Sequence, residues 1–372
     1  MKIIELQFNL SSGGAERFTV DLSNQLSNTD DVTLITLKDD KVEPEKRCFY
    51  KFDLLDTVQY KNLGFGNGFK LSYWWKIYRI IKKENPDIVH LNSGDLAKFC
   101  FLAIVLLGRK VKFFETIHNG LHPNYAHGQR RLFINLFGRT KMMRYIALSD
   151  TNYEEMREYY PFMHITNIVN GRAVQRPTVK YNEVKRELNK FRTNEDTLLF
   201  VHVARCHFQK NQQLLVDAFN KLDEEGANVA LIVIGANYDS EYGRNIFAHA
   251  NKNIHCLGTR KNIADYLLNS DIFTLSSSFE GMPISLIEAS LCGLPLVSTP
   301  VCGSVDIIKD KFNGVLSKDF TLNGYLNALK DAIRNYKDLK NNAKNMVSES
   351  PYKMEICAKK YRNYFIESLN KK

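Results

Sequence analysis

DIFTLSSSFEGMPISLIEASLCGLPLVST, residues 271–299, decides the architecture. The β-branched and apolar run DIFTLSS reads as a strand, and FEGM turns the chain, with Gly281 relaxing the backbone. Pro283 suits the first helical position, Gly293 closes a helix of about ten residues, and LPLVST reads as the next strand. Apolar runs without polar alternation belong to strands covered on both faces, as in a parallel α/β sheet. One feature of the stretch resists that plain reading: between Glu280 and Asp306 the only charge is Glu288. On the helical period Ile284, Ile287, Glu288 and Leu291 share a face, so the carboxylate sits on an apolar stripe. A buried carboxylate is costly without a partner. An interior arginine, backbone amides or the hydroxyl groups of a ligand would each serve.

The same alternation runs along the whole chain. IIELQFN is followed by a helix from Ala15 and DIVHLN by a helix from Asp95; VKFFETI and MRYIALS follow, then LLFVHVA, VALIVIG, DIFTLSS, LPLVST and GVLS in the second half. At 372 residues the chain exceeds what one core organises, since about 150 residues per domain is usual. The reading is two Rossmann-like halves, 1–173 and 174–351. The boundary falls after the turn signal Asn170-Gly171, where RPTVKYNEVKRELNKFRTNED forms a polar, charged passage. PYKMEICAKKYRNYFIESLNKK reads as a final amphipathic helix over 352–372. Ligands of doubly wound sheets bind beyond the carboxyl ends of the strands, so two sheets facing across a cleft would put the chemistry in strand-to-helix loops.

Four such loops carry suitable residues. In NLSSGGAER, Gly13 and Gly14 permit close backbone approach at a helix N-terminus, a setting for phosphate, although spacing alone leaves a tight turn equally open. In VARCHFQKNQQLL, Arg205 follows a strand and Lys210 precedes a helix, two cations placed to clamp a diphosphate. In FETIHNGLHP, His118 ends a buried strand where an imidazole can bond substrate or act as a base. His122 and His127 follow and raise a metal site. No HExxH and no cysteine partner appear, and Gly120 and Pro123 break the helix that would align the histidines, so no metal is expected. The fourth loop brings Glu280 ahead of Glu288, near helix N–H groups that suit a polyhydroxylated, phosphorylated ligand.

Composition narrows the class. The chain is 44% hydrophobic and 25% charged, that of a soluble globular protein, and its longest apolar run, FCFLAIVLLG, is too short to span a bilayer. Seven scattered cysteines without a CxxC pair predict reduced core thiols in a cytosolic protein. The net charge is +10, and residues 98–149 hold nine Lys or Arg against the single acid Glu115. No nucleic-acid signature accompanies that basic stretch, so nucleic acid is not an expected partner.

Together these residues resemble the GT-B retaining glycosyltransferases of family 4. The likeness rests on E-x7-E, here Glu280 and Glu288 in FEGMPISLIEASLCGLPLVST. It is supported in family order by SSGGAER, ETIHN, the VNG turn, the Arg205 to Lys210 segment and LGTRKNIADYLLNSDIF. The resemblance implies a C-terminal donor domain and an N-terminal acceptor domain onto which the last helix returns. It implies that Glu288 bonds the ribose of a UDP or GDP sugar and that Glu280 contacts the transferred hexose or N-acetylhexosamine. Arg205 and Lys210 would neutralise the leaving diphosphate in place of a metal. Backbone N–H groups of Gly281, Met282, Pro283's neighbour Ile284 and Ser285 would hold sugar and phosphate, Gly14 and Gly13 would approach the diphosphate, His118 would touch the sugar, and Arg260 would lie near the base. No cofactor is implied. Two departures stand out: Lys210-Asn211 where the family often has KG, and Met282 in place of a common aromatic.

The implied acceptor is a growing surface glycan, lipid-linked as in capsule, O-antigen or lipopolysaccharide. KLSYWWKIYRIIKK at 70–83 holds both tryptophans; Leu71, Trp74, Trp75, Tyr78 and Ile81 at helical spacing, with the basic 98–149 region, suit an anionic membrane surface. Packing on the sheet through Ile77, Ile80 and Ile81 is the other reading of that helix. Two rival functions share the pocket: a sugar-nucleotide epimerase or hydrolase, and a non-catalytic nucleotide- or glycan-binding protein.

Overall fold

The computed structural model describes residues 1–118 and 129–370; His122 and His127, with Gly120 and Pro123, lie outside the described residues. The chain divides into two compact units, Met1–Ala173 with Pro351–Lys372, and Val174–Ser350.

The first unit begins β1 (Lys2–Gln7), α1 (Gly14–Leu26), β2 (Asp31–Lys38), α2 (Pro44–Arg47), β3 (Gln59–Phe65), α3 (Leu71–Glu84) and β4 (Ile88–Leu91). It continues α4 (Leu96–Leu107), β5 (Lys112–Ile117), α5 (Gln129–Arg139), β6 (Met143–Ala147), α6 (Asp150–Tyr159) and β7 (Ile165–Asn167). The seven strands form one parallel sheet in the order β3-β2-β1-β4-β5-β6-β7. Strand pleating sends alternate residues to opposite faces. Ile4, Leu6, Val89, Leu91, Phe113, Ile117 and Tyr145 therefore join Ile77 and Ile81 of α3, Cys100 and Ile104 of α4, and Phe137 of α5 in one core.

α3 corrects the expected stripe. Tyr73, Ile77 and Ile81, four residues apart, are its buried positions, each worth about 1.5–3 kcal/mol when removed from water. Ile81 thus belongs to the core face and not with Leu71 and Trp75, which are 66% and 53% exposed. Trp74 packs against Phe69 and Phe101, and its Nε1–H donates to the Lys98 carbonyl at 2.7 Å. The basic stretch is likewise divided, because Lys98, Arg139 and Arg144 lie over the rings of Phe69, Phe162 and Phe114. Charged side chains with long apolar stems cover aromatic surface in this way.

The second unit runs α7 (Tyr181–Asn189), β8 (Leu198–Val203), α8 (Gln212–Glu224), β9 (Val229–Ile234), α9 (Glu241–Phe247) and β10 (Ile254–Gly258). After it come α10 (Ile263–Leu268), β11 (Ile272–Leu275), α11 (Ile284–Leu291), β12 (Leu296–Ser298), α12 (Ser304–Ile307), β13 (Gly314–Leu316), α13 (Leu322–Arg334) and α14 (Tyr336–Met346). Its sheet, also parallel, has the order β10-β9-β8-β11-β12-β13. α7 occupies the charged passage and buries only Val184 and Leu188, one turn apart.

The chain then re-enters the first unit through α15 (Met354–Asn370). Arg172 N–H donates to the Tyr352 carbonyl and Met354 N–H donates to the Arg172 carbonyl, so the outgoing and returning segments are bonded side by side. α15 buries Tyr361 and Phe365 against Phe18, His90 and Phe114, on the face of the sheet opposite α3 to α5. A buried hydrogen-bond chain, Asn92 to Glu5 to His90 to Thr116 to Tyr361, ties the helix to β1, β4 and β5. Cysteine burial is uneven: Cys256 is exposed, against the expectation of core thiols, while Cys48, Cys100, Cys206 and Cys357 are buried. β10 puts Cys256 on the outer strand of its sheet.

Candidate functional site

Strand order reverses between β1 and β4 in one sheet and between β8 and β11 in the other. Connections leaving such a pair diverge to opposite faces, which opens a crevice at the carboxyl ends.

In the second unit the two loops at this point are strapped together. Glu280, 7% exposed, accepts from Lys210 Nζ at 2.5 Å, from the Ser277 hydroxyl at 2.6 Å and from Gln209 Nε2 at 3.4 Å. Gln209 Nε2 also donates to the Phe279 carbonyl, Ser278 N–H donates to the Gln209 carbonyl, and the Ser276 hydroxyl donates to the Lys210 carbonyl. The carboxylate is thereby compensated by a cation and neutral donors, which is what its burial demands. Arg205 stands on the same loop, exposed, and makes no ion pair among the described residues. Its backbone carbonyl accepts from Gln212, and the Ala204 carbonyl accepts from Tyr238. Below lies His202, fully buried, whose Nδ1–H donates to the Thr274 carbonyl; burial, with Lys210 adding, pushes its pKa down to about 4 and leaves a neutral ring.

The family departure at Asn211 has a local cause. Its backbone is left-handed, φ 48°, a conformation that glycine tolerates best and asparagine next best. Asparagine adds a cap, its Oδ1 accepting from Leu214 N–H at the start of α8. Pro283 stands one position earlier than expected: it is the N-cap of α11, extended at φ −71° and ψ 115°, and its carbonyl accepts the first bonds, from Leu286 and Ile287. Ile284 and Ser285 open the helix, whose first-turn N–H groups have no intrahelical acceptor. Met282 is 4% exposed, and a Cβ on Gly303, φ 73°, would collide with it, so Gly281-Met282 rests against the 301–304 turn. Ile287, Glu288 and Leu291 are buried on one side of α11; Glu288 is one turn before Cys292, whose thiol is pushed up to about 12 by burial and by that carboxylate. The Arg260 guanidinium bonds the Tyr266 hydroxyl at 2.9 Å and approaches Glu187, which fastens its loop to α7.

The first unit presents a different chemistry. Gly13 is the N-cap of α1 and Gly14 its first residue; the Glu16 side chain folds back against Gly13 and accepts from the Ser11 hydroxyl. His118 follows β5 with its Nε2 buried and without a partner among the described residues, packed edge-on to Phe18. Burial, reinforced by His90 and Arg130, pushes its pKa down to about 3, so the ring is neutral. Three residues earlier, Glu115 is 0% exposed and neither carboxyl oxygen has a partner among the described residues; burial raises its pKa to about 8 against the pull of Arg130. Its cross-strand neighbour Tyr145 also has an unpartnered hydroxyl.

The structure therefore brings Lys210, Glu280 and Arg205 to one pair of loops, with Met282 and the N-cap Pro283 leading into Ile284, Ser285 and Glu288 of α11. Gly13, Gly14 and His118 belong to the other unit. Gln209, Gln212, Ser277, Tyr238, His202 and Gly303 went unread in the sequence; for the two glutamines the cue was the polar run QKNQQ in the loop and helix start that follow the buried strand β8.

Two family models match the chain, glycosyltransferase family 4 over residues 12–176 and glycosyl transferases group 1 over residues 183–347. The chain belongs to this glycosyltransferase family. It is 26% identical over 265 residues to the Escherichia coli UDP-Gal:α-D-GlcNAc-diphosphoundecaprenol α-1,3-galactosyltransferase, covering 68% of each chain. It is 26% identical over 305 residues to the Staphylococcus aureus capsular polysaccharide biosynthesis glycosyltransferase CapH, covering 78% of each. Among solved structures, Anabaena HepE in complex with UDP superposes with a TM-score of 0.79 at 17% identity, over 99% of this chain and 100% of that one. This glycosyltransferase accordingly has the GT-B fold, and its relatives act in capsule and glycan biosynthesis. Among the described residues no helix is long and apolar enough to cross a membrane.

Proposed function

We propose that this glycosyltransferase moves a hexose or N-acetylhexosamine from a UDP or GDP sugar to a growing, lipid-linked surface glycan, with retention of configuration and without a metal ion. The observation that carries the reading is the Lys210–Glu280 pair strapped at the switch point of the second sheet beside the unpaired Arg205. Breaking the sugar–phosphate bond leaves a diphosphate, and two cations fixed on a rigid loop stabilise that charge without reorganising. Glu280 holds Lys210 in place and presents its carboxylate to the sugar hydroxyls. Glu288 takes the ribose hydroxyls, and the backbone N–H groups of Gly281 and Met282 with those of Ile284 and Ser285 at the start of α11 take phosphate and sugar oxygens. The segment around Arg260 meets the base through its backbone, since the side chain is engaged by Tyr266 and Glu187. In the first unit, neutral His118 bonds a sugar hydroxyl and the Gly13-Gly14 turn accommodates phosphate. A UDP donor is favoured by the galactosyltransferase relative and by the UDP-bound HepE structure.

The acceptor reading draws on the outer surface of the first unit. Leu71 and Trp75 of α3, Val105 and Leu106 of α4, and Leu132 and Leu136 of α5 are exposed among basic residues, a composition suited to an anionic bilayer. The protein would act at the inner face of the cell membrane as a peripheral enzyme. Thermal-shift measurement with UDP, GDP and ADP sugars tests the donor, because a ligand of the native state raises the melting temperature; no shift with any of them removes the donor assignment. Co-sedimentation with phosphatidylglycerol vesicles that is unchanged by Trp75→Ser and Leu132→Ser together removes the membrane assignment.

A further inference from the structure

Phe208 lies two residues before Lys210 and is 63% exposed, although a phenylalanine gains about 1.5–3 kcal/mol on full burial. It is not a loose surface ring. His207 Nδ1 accepts from Gln209 N–H and caps the short turn Phe208–Lys210, and Gln209, 6% exposed, anchors that turn to the Phe279 and Ser278 backbone. The His207 ring lies 4.3 Å from the Phe208 ring, and the Phe279 ring lies 6.2 Å from it on the other loop. Phe279 immediately precedes Glu280. A small aromatic shelf of His207, Phe208 and Phe279 thus sits on two bonded loops that also carry Arg205, Lys210 and Glu280.

A hydrocarbon chain needs continuous apolar area, which two rings on loops that carry charged residues do not supply. A pyranose fits both parts: its C–H face is attracted to the negative face of an aromatic ring, while its hydroxyls reach the surrounding carboxylate and imidazole. We propose that Phe208, with Phe279 beside it, is a stacking platform by which the second unit holds a pyranose ring of the acceptor glycan, in addition to the acceptor surface read on the first unit. This rests on the transferase reading above, which puts the transferred sugar at Glu280. The charged residues of the two loops select a polyhydroxylated acceptor and disfavour an aglycone chain at that position.

The test uses the full chain loaded with UDP and saturation-transfer NMR with the methyl glycosides of glucose, galactose and N-acetylglucosamine as probes, beside calorimetry of UDP alone. Expected is saturation of the ring protons of at least one glycoside, lowered about five-fold in Phe208→Ala and retained in Phe208→Trp, with UDP affinity unchanged in both variants. Equal saturation in wild type and Phe208→Ala overturns the platform, as does the lack of any saturated glycoside in wild type. Loss of UDP affinity in Phe208→Ala overturns it differently, by giving the ring to the nucleobase. Failure of wild type to bind UDP, GDP and ADP sugars, by contrast, strikes the donor reading itself.

Discussion

The two sheets share one topology at their switch points and treat charge there in opposite ways. In the second unit a buried carboxylate, Glu280, is met by Lys210, Ser277 and Gln209. In the first, Glu115 and the His118 Nε2 are buried without partners among the described residues, and each side chain is held in its neutral form. A fixed charge matched by a cation is suited to stabilising a charge that develops in a reaction. Neutral buried polar groups suit hydrogen bonding to an uncharged polyol. A strand order shared around the switch point thus supports two different chemistries, each set by a handful of loop and strand-end residues.

The largest test of that contrast removes the charge. Glu280→Gln, measured as the initial rate of sugar transfer, is expected to lose about 10²–10³-fold in kcat. A rate near wild type would dissolve the distinction. Next in size is the pH dependence of stability, followed by denaturant unfolding of the intact protein. Glu115 keeps its proton in the fold up to about 8 but loses it in the unfolded chain near 4.5, so its contribution to stability falls as pH rises through that window. His118 is neutral in the fold down to about 3 but protonates near 6.5 when unfolded, so its contribution falls as pH drops from 6.5 to 3. Between 4.5 and 6.5 the two slopes oppose and cancel, leaving a plateau with an acid and an alkaline limb. Each limb, outside the window where the slopes cancel, represents on the order of 2 kcal/mol. Glu115→Gln should flatten the alkaline limb and His118→Asn should soften the acid one; limbs unchanged in both variants would break the assignment. His202, held down to about 4, adds an acid limb in the second unit only.

Smaller effects sharpen the picture. Asn211→Ala is expected to cost about 1–2 kcal/mol, losing a cap and straining a left-handed residue, whereas Asn211→Gly should cost only a few tenths. A Gly variant as unstable as the Ala variant would mean that backbone strain is unimportant there. Smallest is Trp75→Ser, which should change stability by no more than about 0.5 kcal/mol because the ring is exposed, in contrast to Trp74→Ala, which removes packing and a hydrogen bond.

The fold class was legible because its central strands are uninterrupted apolar runs, as in VALIVI, where every residue of β9 is buried. β3 and β7 were not, being edge strands: QYKNLGF is half-buried and polar, and ITN is only three residues long. α7 hid in a charged passage because two buried side chains one turn apart make too narrow a stripe. Glu280, Lys210 and Arg205 could be singled out by type and spacing, but no spacing reveals that Glu280 and Lys210 are bonded across two loops. Glu115 read only as the lone acid in a basic stretch. Its burial comes from β4, β6 and α4 closing around β5, which is a property of the assembled sheet.

The returning helix α15 carries one more consequence, for biosynthesis. The second unit is spelled out by consecutive residues 174–350 and is complete before Tyr361 and Phe365 have left the ribosome. The first unit is interrupted: its sheet is translated early, yet the apolar face around Phe18, His90 and Phe114 waits uncovered until α15, made after the whole second unit, covers it. Exposed apolar surface of that kind is what draws nascent chains into aggregation or onto chaperones. A chain cut short at residue 350 should therefore display one finished half and one sticky one, with the earlier-made half maturing second.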